Sequence, residues 1–193
     1  MKFNIIYADP PWTFKTYSAK GKIQTSAENH YQTQSLDWIK NLKVRSIAAD
    51  DCVLFLWATM PCLPDALEVI KAWSFTYKTC GFTWIKKNKK ADSLFWGCGF
   101  WTRSNSEIRL IATKEKPQRL SRAVHQVVLS KIEGHSKKPD EVRDRIVKLC
   151  GDVPRVELFA RQKIDGWSAW GDELNPTIEN ILIDIYLRGI KRV

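Results

Sequence analysis

The segment CVLFLWA, residues 52–58, is the feature that most restricts how this chain can fold. It is too short to span a membrane, and a strand with one face in water would alternate polar and apolar residues. An unbroken apolar run of this length is typical of a central strand of a parallel sheet, which is covered on both faces. The run NIIYA at residues 4–8 has the same character and predicts a second buried strand.

Segments with helical spacing separate these strands from further apolar runs. Ser35 is placed to cap a helix that extends to about Lys43, Pro64 opens a second helix, and Pro139 opens a third. Further strands are predicted at residues 77–86, 108–113, 124–132 and 155–160. Strands alternating with helices predict an α/β fold, with a mostly parallel central sheet and helices on both faces.

The chain has 193 residues, enough for one domain with a well-formed core. We assign residues 1–174 to this domain and residues 175–193 to a C-terminal tail. Apolar residues at helical spacing predict that the tail forms an amphipathic helix. The helix is expected to pack on the domain or on a second copy of the chain, and the second alternative would give a homodimer.

The charge of the chain favours a polyanionic partner. Lys and Arg total 31 against 21 Asp and Glu, a formal charge of +10, although many basic proteins use such an excess only for solubility.

No segment resembles a membrane span or a secretory signal, so we expect a cytoplasmic protein without a membrane partner. The cysteines and histidines are dispersed, so no metal site is predicted.

The sequence YADPPW, residues 7–12, follows the first predicted strand. Ligands of α/β sheets bind beyond the carboxyl ends of the strands, where Asp9 is expected; a purely structural turn is the alternative. The exocyclic amine of adenine is a poor nucleophile because its lone pair is delocalised into the ring. A carboxylate and a carbonyl held rigidly by the prolines can accept its two hydrogens, and Trp12 can stack on the purine. Candidate catalytic residues are therefore Asp9, Pro10, Pro11 and Trp12.

Eight sequence blocks, taken in order, resemble the MT-A-seventy-like family of adenine N6-methyltransferases. The blocks are DPPW, HYQT, LFLWAT, FTWIKKNK, GCGFWTRSNSEIRLIAT, HSKKPDEV, VELFAR and WSAWGDEL. The likeness extends from about Ile5 to Leu174. It implies a Rossmann-like fold that uses S-adenosylmethionine, with the catalytic block preceding the cofactor block.

The resemblance also implies roles for individual residues. Asp9 and Pro10 would hold the adenine amine, Pro11 and Trp12 would shape the pocket, and Tyr31 would lie in a loop beside the base. Residues expected to bind the cofactor are Asp9, Lys138, Phe159, Arg161, Asp172 and Glu173. The last two would bind the ribose hydroxyls, although Asp172 replaces the family's usual Asn and cannot donate a hydrogen bond.

The residues themselves support the cofactor assignments unequally. Glu157 and Arg161 lie at the end of a predicted strand, where cofactor ligands are expected, so Glu157 is added to the cofactor residues. A surface ion pair is the alternative for both. Lys138 precedes a helix start and can reach a carboxylate, but solvation is the alternative there.

Basic and aromatic residues beside the site predict contacts with a nucleic acid substrate. Lys86 lies in a lysine-rich segment, and Trp101 and Arg103 lie in GCGFWTRSNS. Phosphate neutralisation and base stacking account for this pattern, while aromatic closure of the core is the alternative for at least half of the aromatic residues. With Tyr31, the three residues Lys86, Trp101 and Arg103 are substrate-binding candidates. Glu107 is the fifth, or else a structural partner of Arg103 or Arg109.

No sequence block distinguishes DNA from RNA. A catalytic domain without an added RNA-binding module resembles the bacterial and phage members, so we expect the substrate to be DNA. Adenine in RNA and the cytosine amine are alternative substrates. A catalytically silent nucleic-acid-binding subunit is the alternative function.

Overall fold

The computed structural model describes residues 1–13, 33–97, 99, 101–134, 137–171 and 174. The strands are β1 (Phe3–Ala8), β2 (Ala48–Ala58), β3 (Thr76–Lys87), β4 (Ser106–Lys114), β5 (Val127–Lys131), β6 (Arg155–Leu158) and β7 (Ser168–Trp170). They form one seven-stranded sheet in the order β5-β3-β4-β2-β1-β6-β7. The predicted C-terminal helix and the proposed boundary at residue 174 concern a tail that lies outside the described residues.

The sheet is mostly parallel, as predicted. β1 pairs in parallel with β2 and β6, and the pairs β3–β5 and β6–β7 are parallel too. β4 runs antiparallel to both of its neighbours, β2 and β3. The first residues of β4 therefore reach the same sheet edge as the carboxyl ends of β1, β2, β3 and β6.

Helices cover both faces of the sheet, which confirms the predicted α/β architecture. The helices are α1 (Leu36–Asn41), α2 (Val44–Ile47), α3 (Leu63–Ala72) and α4 (Glu141–Cys150). As predicted, Ser35 caps α1: its hydroxyl accepts a hydrogen bond from the Trp38 amide at 3.1 Å. A 3₁₀ turn at Met60–Cys62 leads into α3, and Pro64 lies in the first turn of that helix.

The two faces of the sheet have different cores. On the first face, α1, α2 and α3 pack aliphatic side chains against alternate strand residues such as Ile6 and Leu54. On the second face, α4 covers a core rich in aromatic rings, which includes Tyr7, Trp57 and Trp84. Strand alternation also directs the residues around Tyr7 and Trp57 to this second face, where the candidate site lies. Within the described ranges no helix is long and apolar enough to cross a membrane.

Candidate active site

Four charged side chains from distant parts of the sequence meet at one edge of the sheet. The Lys138 ammonium lies 2.8 Å from Oδ2 of Asp9 and 3.4 Å from Oε2 of Glu107. The other oxygen of Glu107 accepts a hydrogen bond from Lys86 Nζ at 2.5 Å. Asp9 follows β1, Glu107 opens β4, Lys86 is near the end of β3, and Lys138 precedes α4. The antiparallel direction of β4 is what brings Glu107 into this group.

The charges of this group shift the pKa values of Lys138 and Glu107. Burial lowers the pKa of Lys138, but the carboxylates of Asp9 and Glu107 outweigh burial and hold that pKa above its ordinary value. Burial likewise raises the pKa of Glu107, and Lys138 and Lys86 outweigh it and hold that pKa below its ordinary value. The Asp9 side chain is 24% exposed, against 12% for Glu107, so Asp9 is the carboxylate of the group most open to a ligand.

The prolines after Asp9 form a turn whose geometry Trp12 fixes. The Trp12 amide donates to the Pro10 carbonyl at 2.8 Å, and the Trp12 indole N–H donates to the Trp57 carbonyl at 2.9 Å. The Pro11 carbonyl accepts from the Gln34 amide at 3.1 Å. Trp12 is buried, so its contact with the core holds the turn rigid, and stacking of its ring on a purine stays a prediction.

Glu157 forms a buried bidentate ion pair with Arg143. Its two oxygens accept hydrogen bonds from Nε and Nη2 of Arg143, both at 2.8 Å. Arg143 also donates to Asp140 at the start of α4 at 2.7 Å, and the pair with Glu157 ties α4 to β6. The alternative for Glu157 was a surface ion pair, whereas the observed pair with Arg143 is buried. A cofactor contact of Glu157 stays a prediction.

The end of β6 has a strained turn next to a close backbone contact. Phe159 has a φ of +62°, which is rare for a residue with a side chain, and its ring packs against Trp38 and Trp170. The backbone of Gly171 passes so close to Ala160 that a Cβ there would lie 2.1 Å from the Ala160 carbonyl oxygen. Arg161 is exposed beside this turn.

The link between β3 and β4 presents two exposed tryptophans. Trp101 is 98% exposed and Trp96 is 73% exposed. The two limbs of the link approach closely at Gly97, whose amide donates to the Ser104 carbonyl at 2.9 Å. Arg103 is exposed on the same link, which begins and ends next to Lys86 and Glu107. Trp101 therefore does not help to close the core, which was the alternative to a substrate contact for these aromatic residues.

The sequence model of the MT-A70 family matches residues 3–173, which is most of the described fold and all of the charged group around Asp9. The chain belongs to the MT-A70 family. It is similar to the Type II methyltransferase M.MunI of Mycoplasma sp., with 34% identity over 189 residues that cover 90% of this chain and 78% of that protein.

Two animal proteins of the family are similar over a smaller part of their length. The N(6)-adenosine-methyltransferase subunit METTL3 of Danio rerio is 28% identical over 178 residues, which are 90% of this chain and 28% of that protein. The N(6)-adenosine-methyltransferase MT-A70-like protein of Drosophila melanogaster is also 28% identical over 178 residues, and the alignment covers 27% of its length. This chain thus corresponds to about a quarter of those two proteins.

The structure brings together several residues that the MT-A70 resemblance singled out. Asp9, Lys138, Glu107 and Lys86 form one group, although sequence reasoning divided them among catalytic, cofactor and substrate roles. Arg103 or Arg109 was the structural partner expected for Glu107. The ion pairs of Glu107 are with Lys86 and Lys138 instead. The residues Tyr31, Asp172 and Glu173 lie outside the described part of the chain.

One buried charge of this MT-A70 fold, Arg109, was considered from the sequence only as a possible partner of Glu107. Arg109 lies in the middle of β4, is fully buried, and contacts the rings of Tyr7 and Trp57. The signal in the sequence was a lone arginine inside the apolar run IRLIAT. A charged residue within such a run has to be buried with the strand, which is uncommon without a partner.

Proposed function

We propose that this MT-A70 protein transfers a methyl group from S-adenosylmethionine to the N6 amine of adenine in DNA. The observation that carries the proposal is the partly exposed carboxylate of Asp9 at the end of β1, paired with Lys138 and followed by a diproline turn that Trp12 holds rigid. The name of the METTL3 relative, an N(6)-adenosine-methyltransferase subunit, supports adenine N6 as the acceptor.

The residues around Asp9 suit the chemistry of an aromatic amine. A carboxylate oxygen of Asp9 accepts one amine hydrogen, and the Pro10 carbonyl accepts the other on the lone pair that Trp12 does not use. Two acceptors held on one side of the nitrogen favour a pyramidal amine whose lone pair points away from them. Fixed alignment of that lone pair with the methyl donor would supply most of the rate enhancement. The methyl would pass from the sulfonium to the nitrogen and leave a neutral thioether, and the nitrogen would then release a proton to water.

The side chains beside Asp9 fit the proposed cofactor. The Lys138 ammonium is buried and ionised, which suits the carboxylate of the amino-acid part of S-adenosylmethionine. Phe159 and Arg161 lie at the end of β6, where a parallel sheet binds ligands, and we propose that both contact the cofactor. The cofactor supplies an electrophilic methyl group on a sulfonium. These residues bind and orient it.

DNA is favoured over RNA by the match with one relative, while charge and exposed aromatic residues suit either nucleic acid. The alignment with the Type II methyltransferase M.MunI covers 78% of that protein, so the chain resembles nearly a whole enzyme of that kind. The formal charge of +10 and the exposed Trp101 and Arg103 suit phosphate neutralisation and base stacking. Since a base inside a duplex is inaccessible, the adenine has to be extruded from the helix. We place the protein in the cytoplasm.

The test is methyl transfer from labelled S-adenosylmethionine to matched DNA and RNA oligonucleotides, with the modified base identified by mass spectrometry. We expect N6-methyladenine in DNA from the wild type and none from Asp9→Ala, which keeps its fold because Glu107 still pairs with Lys138. Asp50→Asn, at a fully exposed carboxylate, is the matched control with normal activity. Methylation of RNA alone would favour the alternative substrate. Nucleic-acid binding without any methyl transfer would favour the silent subunit.

A further inference from the structure

A groove on the second face of the sheet is lined by none of the four charged residues around Asp9. It lies between α4 and residues 159–167, which form the crossover from β6 to β7, and its volume is about 510 Å³. One wall is a single face of α4, and the other includes Ile164 and Trp167 of the crossover. A water molecule occupies about 30 Å³ of liquid, so the groove is far larger than a packing void.

Buried contacts hold both walls of the groove in place. On the α4 side, Arg143 donates to both oxygens of Glu157 at 2.8 Å. On the crossover side, the guanidinium of Arg155 lies 5.5 Å from the centre of a Trp167 ring. Gly166 leaves room for that guanidinium, because a Cβ there would lie 2.6 Å from Nη2 of Arg155. The groove is therefore a preformed part of the fold.

The groove combines apolar side chains with charges that lack ion pairs. Val147 of α4 and Ile164 of the crossover are half-buried at the margin of the second core. Within the described ranges, no ion pair is formed by Asp144 and Lys148 of α4 or by Asp165 of the crossover. An apolar centre with charges at its rim is the usual character of a surface that another segment covers.

The groove lies beside the point where the described chain ends. The crossover leads directly into β7, which is an edge strand of the described sheet. Just beyond β7, the Leu174 amide donates to the Gly171 carbonyl at 3.2 Å. Each further residue spans up to about 3.3 Å, so a few residues suffice to bring the following segment to the crossover.

Residues 175–193 have the length and character to fill the groove. Apolar side chains recur there at helical spacing, at Ile178, Ile181, Leu182 and Ile185. Pro176 is typical of the first turn of a helix. A helix from Pro176 to Arg188 would be about 20 Å long, against about 15 Å for the ten residues of α4. Asp184 and Arg188 supply one charge of each sign, which suits the unpaired lysine and carboxylates of the groove.

We propose that residues 175–193 form a helix that docks between α4 and the crossover of the same chain and covers this groove. The apolar face of the helix packs on Val147 and Ile164, where burial of apolar surface supplies the driving force. The same chain is favoured over a second copy, because a short connection gives the attached segment a millimolar effective concentration. Docking of the helix also shields the Arg143–Glu157 pair from water.

Amide hydrogen exchange of the whole chain tests the docking. In the wild type, residues 178–188 should exchange more than about 100-fold more slowly than in an unfolded peptide, because an undocked helix of this length opens readily. Ile164→Asp puts a charge into the groove and should raise that exchange by about tenfold or more. Leu129→Asp is the matched control, at an apolar residue that is 54% exposed on β5 at the opposite edge of the sheet, and should leave the exchange unchanged.

A double-variant cycle identifies the surface that the helix contacts. Ile164→Asp and Leu182→Asp should each lower the free energy of unfolding, and the double variant should lose little more than either one, because both disrupt one contact. Leu129→Asp combined with Leu182→Asp should give additive losses.

Three results would overturn the proposal. The first is fast exchange of residues 178–188 in the wild type, a measurement that depends on no variant. The second is additive losses for Ile164→Asp and Leu182→Asp, or tail exchange that Ile164→Asp leaves unchanged, since the helix would then pack elsewhere. The third is a dimer in light scattering whose tail protection falls on dilution, which would assign the tail to a second copy.

Discussion

Lys138 and Asp9 lie 129 positions apart in the sequence, yet their charged atoms are 2.8 Å apart. The pair joins the block that precedes α4 to the diproline turn after β1. A cofactor that draws Lys138 toward its carboxylate would free the Asp9 oxygen that accepts a hydrogen bond from Lys138. We therefore expect binding of the methyl donor to prepare Asp9 for the adenine amine.

The ionised state of Glu107 should make stability depend on pH. The pKa of Glu107 in the folded protein lies below its ordinary value of 4.5, because Lys138 and Lys86 outweigh burial. The carboxylate therefore contributes stability that is fully present above about pH 4.5 and is lost as the pH falls through the lower folded value. Glu107→Gln should lower the free energy of unfolding by about 1–3 kcal/mol at pH 7.

Urea unfolding of the wild type and Glu107→Gln at a series of pH values measures this difference. We expect the two free energies to converge in the acid range below pH 4.5. Glu133→Gln is the control, since the Glu133 side chain is 57% exposed and contacts only Lys137 among the described ion pairs. A difference that stays constant from neutral to acid pH would contradict the prediction.

The Arg143–Glu157 pair is expected to contribute mainly to stability. Glu157→Gln leaves a buried guanidinium without its bidentate partner, so we expect a loss of about 3–5 kcal/mol in the free energy of unfolding. The double variant Arg143→Met with Glu157→Met removes both charges and should recover much of that loss. Chemical denaturation of the wild type, Arg143→Met, Glu157→Met and the double variant forms the cycle. Calorimetry with S-adenosylmethionine decides whether Glu157 also serves the cofactor, as the sequence predicted, because binding would then weaken in a folded Glu157 variant.

Gly171 should not tolerate even a methyl group. A Cβ at this position would lie 2.1 Å from the Ala160 oxygen, so Gly171→Ala must displace the backbone at the end of β6. We expect a loss of about 1–3 kcal/mol in stability and weaker cofactor binding, since Phe159 and Arg161 flank Ala160. Gly134→Ala is a matched control because a Cβ there meets nothing within 4 Å. Equal free energies of unfolding for the two variants would contradict the prediction, because the backbone would then accommodate the added methyl group without loss of stability.

Trp101 is expected to act on the substrate and not on the fold. Because its side chain is 98% exposed, Trp101→Ala should change the free energy of unfolding by less than about 0.5 kcal/mol. Loss of one stacked base should weaken single-stranded DNA binding by about 1–3 kcal/mol, measured by fluorescence anisotropy at fixed salt. Leu120→Ala, at an apolar residue that is 76% exposed elsewhere, is the control. Equal affinities for Trp101→Ala and the wild type would remove Trp101 from the proposed interface.

Much of the fold was predictable because local patterns determine local structure. The apolar run at residues 52–58 forms the inner part of β2, and Ser35 caps α1 where its position predicted. The turn after β1 was predictable too, since two prolines end a strand whatever surrounds them. The position of Asp9 at the carboxyl ends of the strands was predicted from a general rule about α/β sheets. The observed charged group around Asp9 lies at that edge.

The sequence alone determined the order of the elements, the burial of β1 and β2, and the presence of a carboxylate at the end of β1. The tertiary structure decided which charges meet: the antiparallel direction of β4 brings Glu107 to Lys86 and Lys138, and α4 supplies Arg143 as the partner of Glu157. Periodicity reports only the spacing of residues along one segment. Ion pairs between distant segments depend on strand order and direction, which the packing of the whole sheet decides.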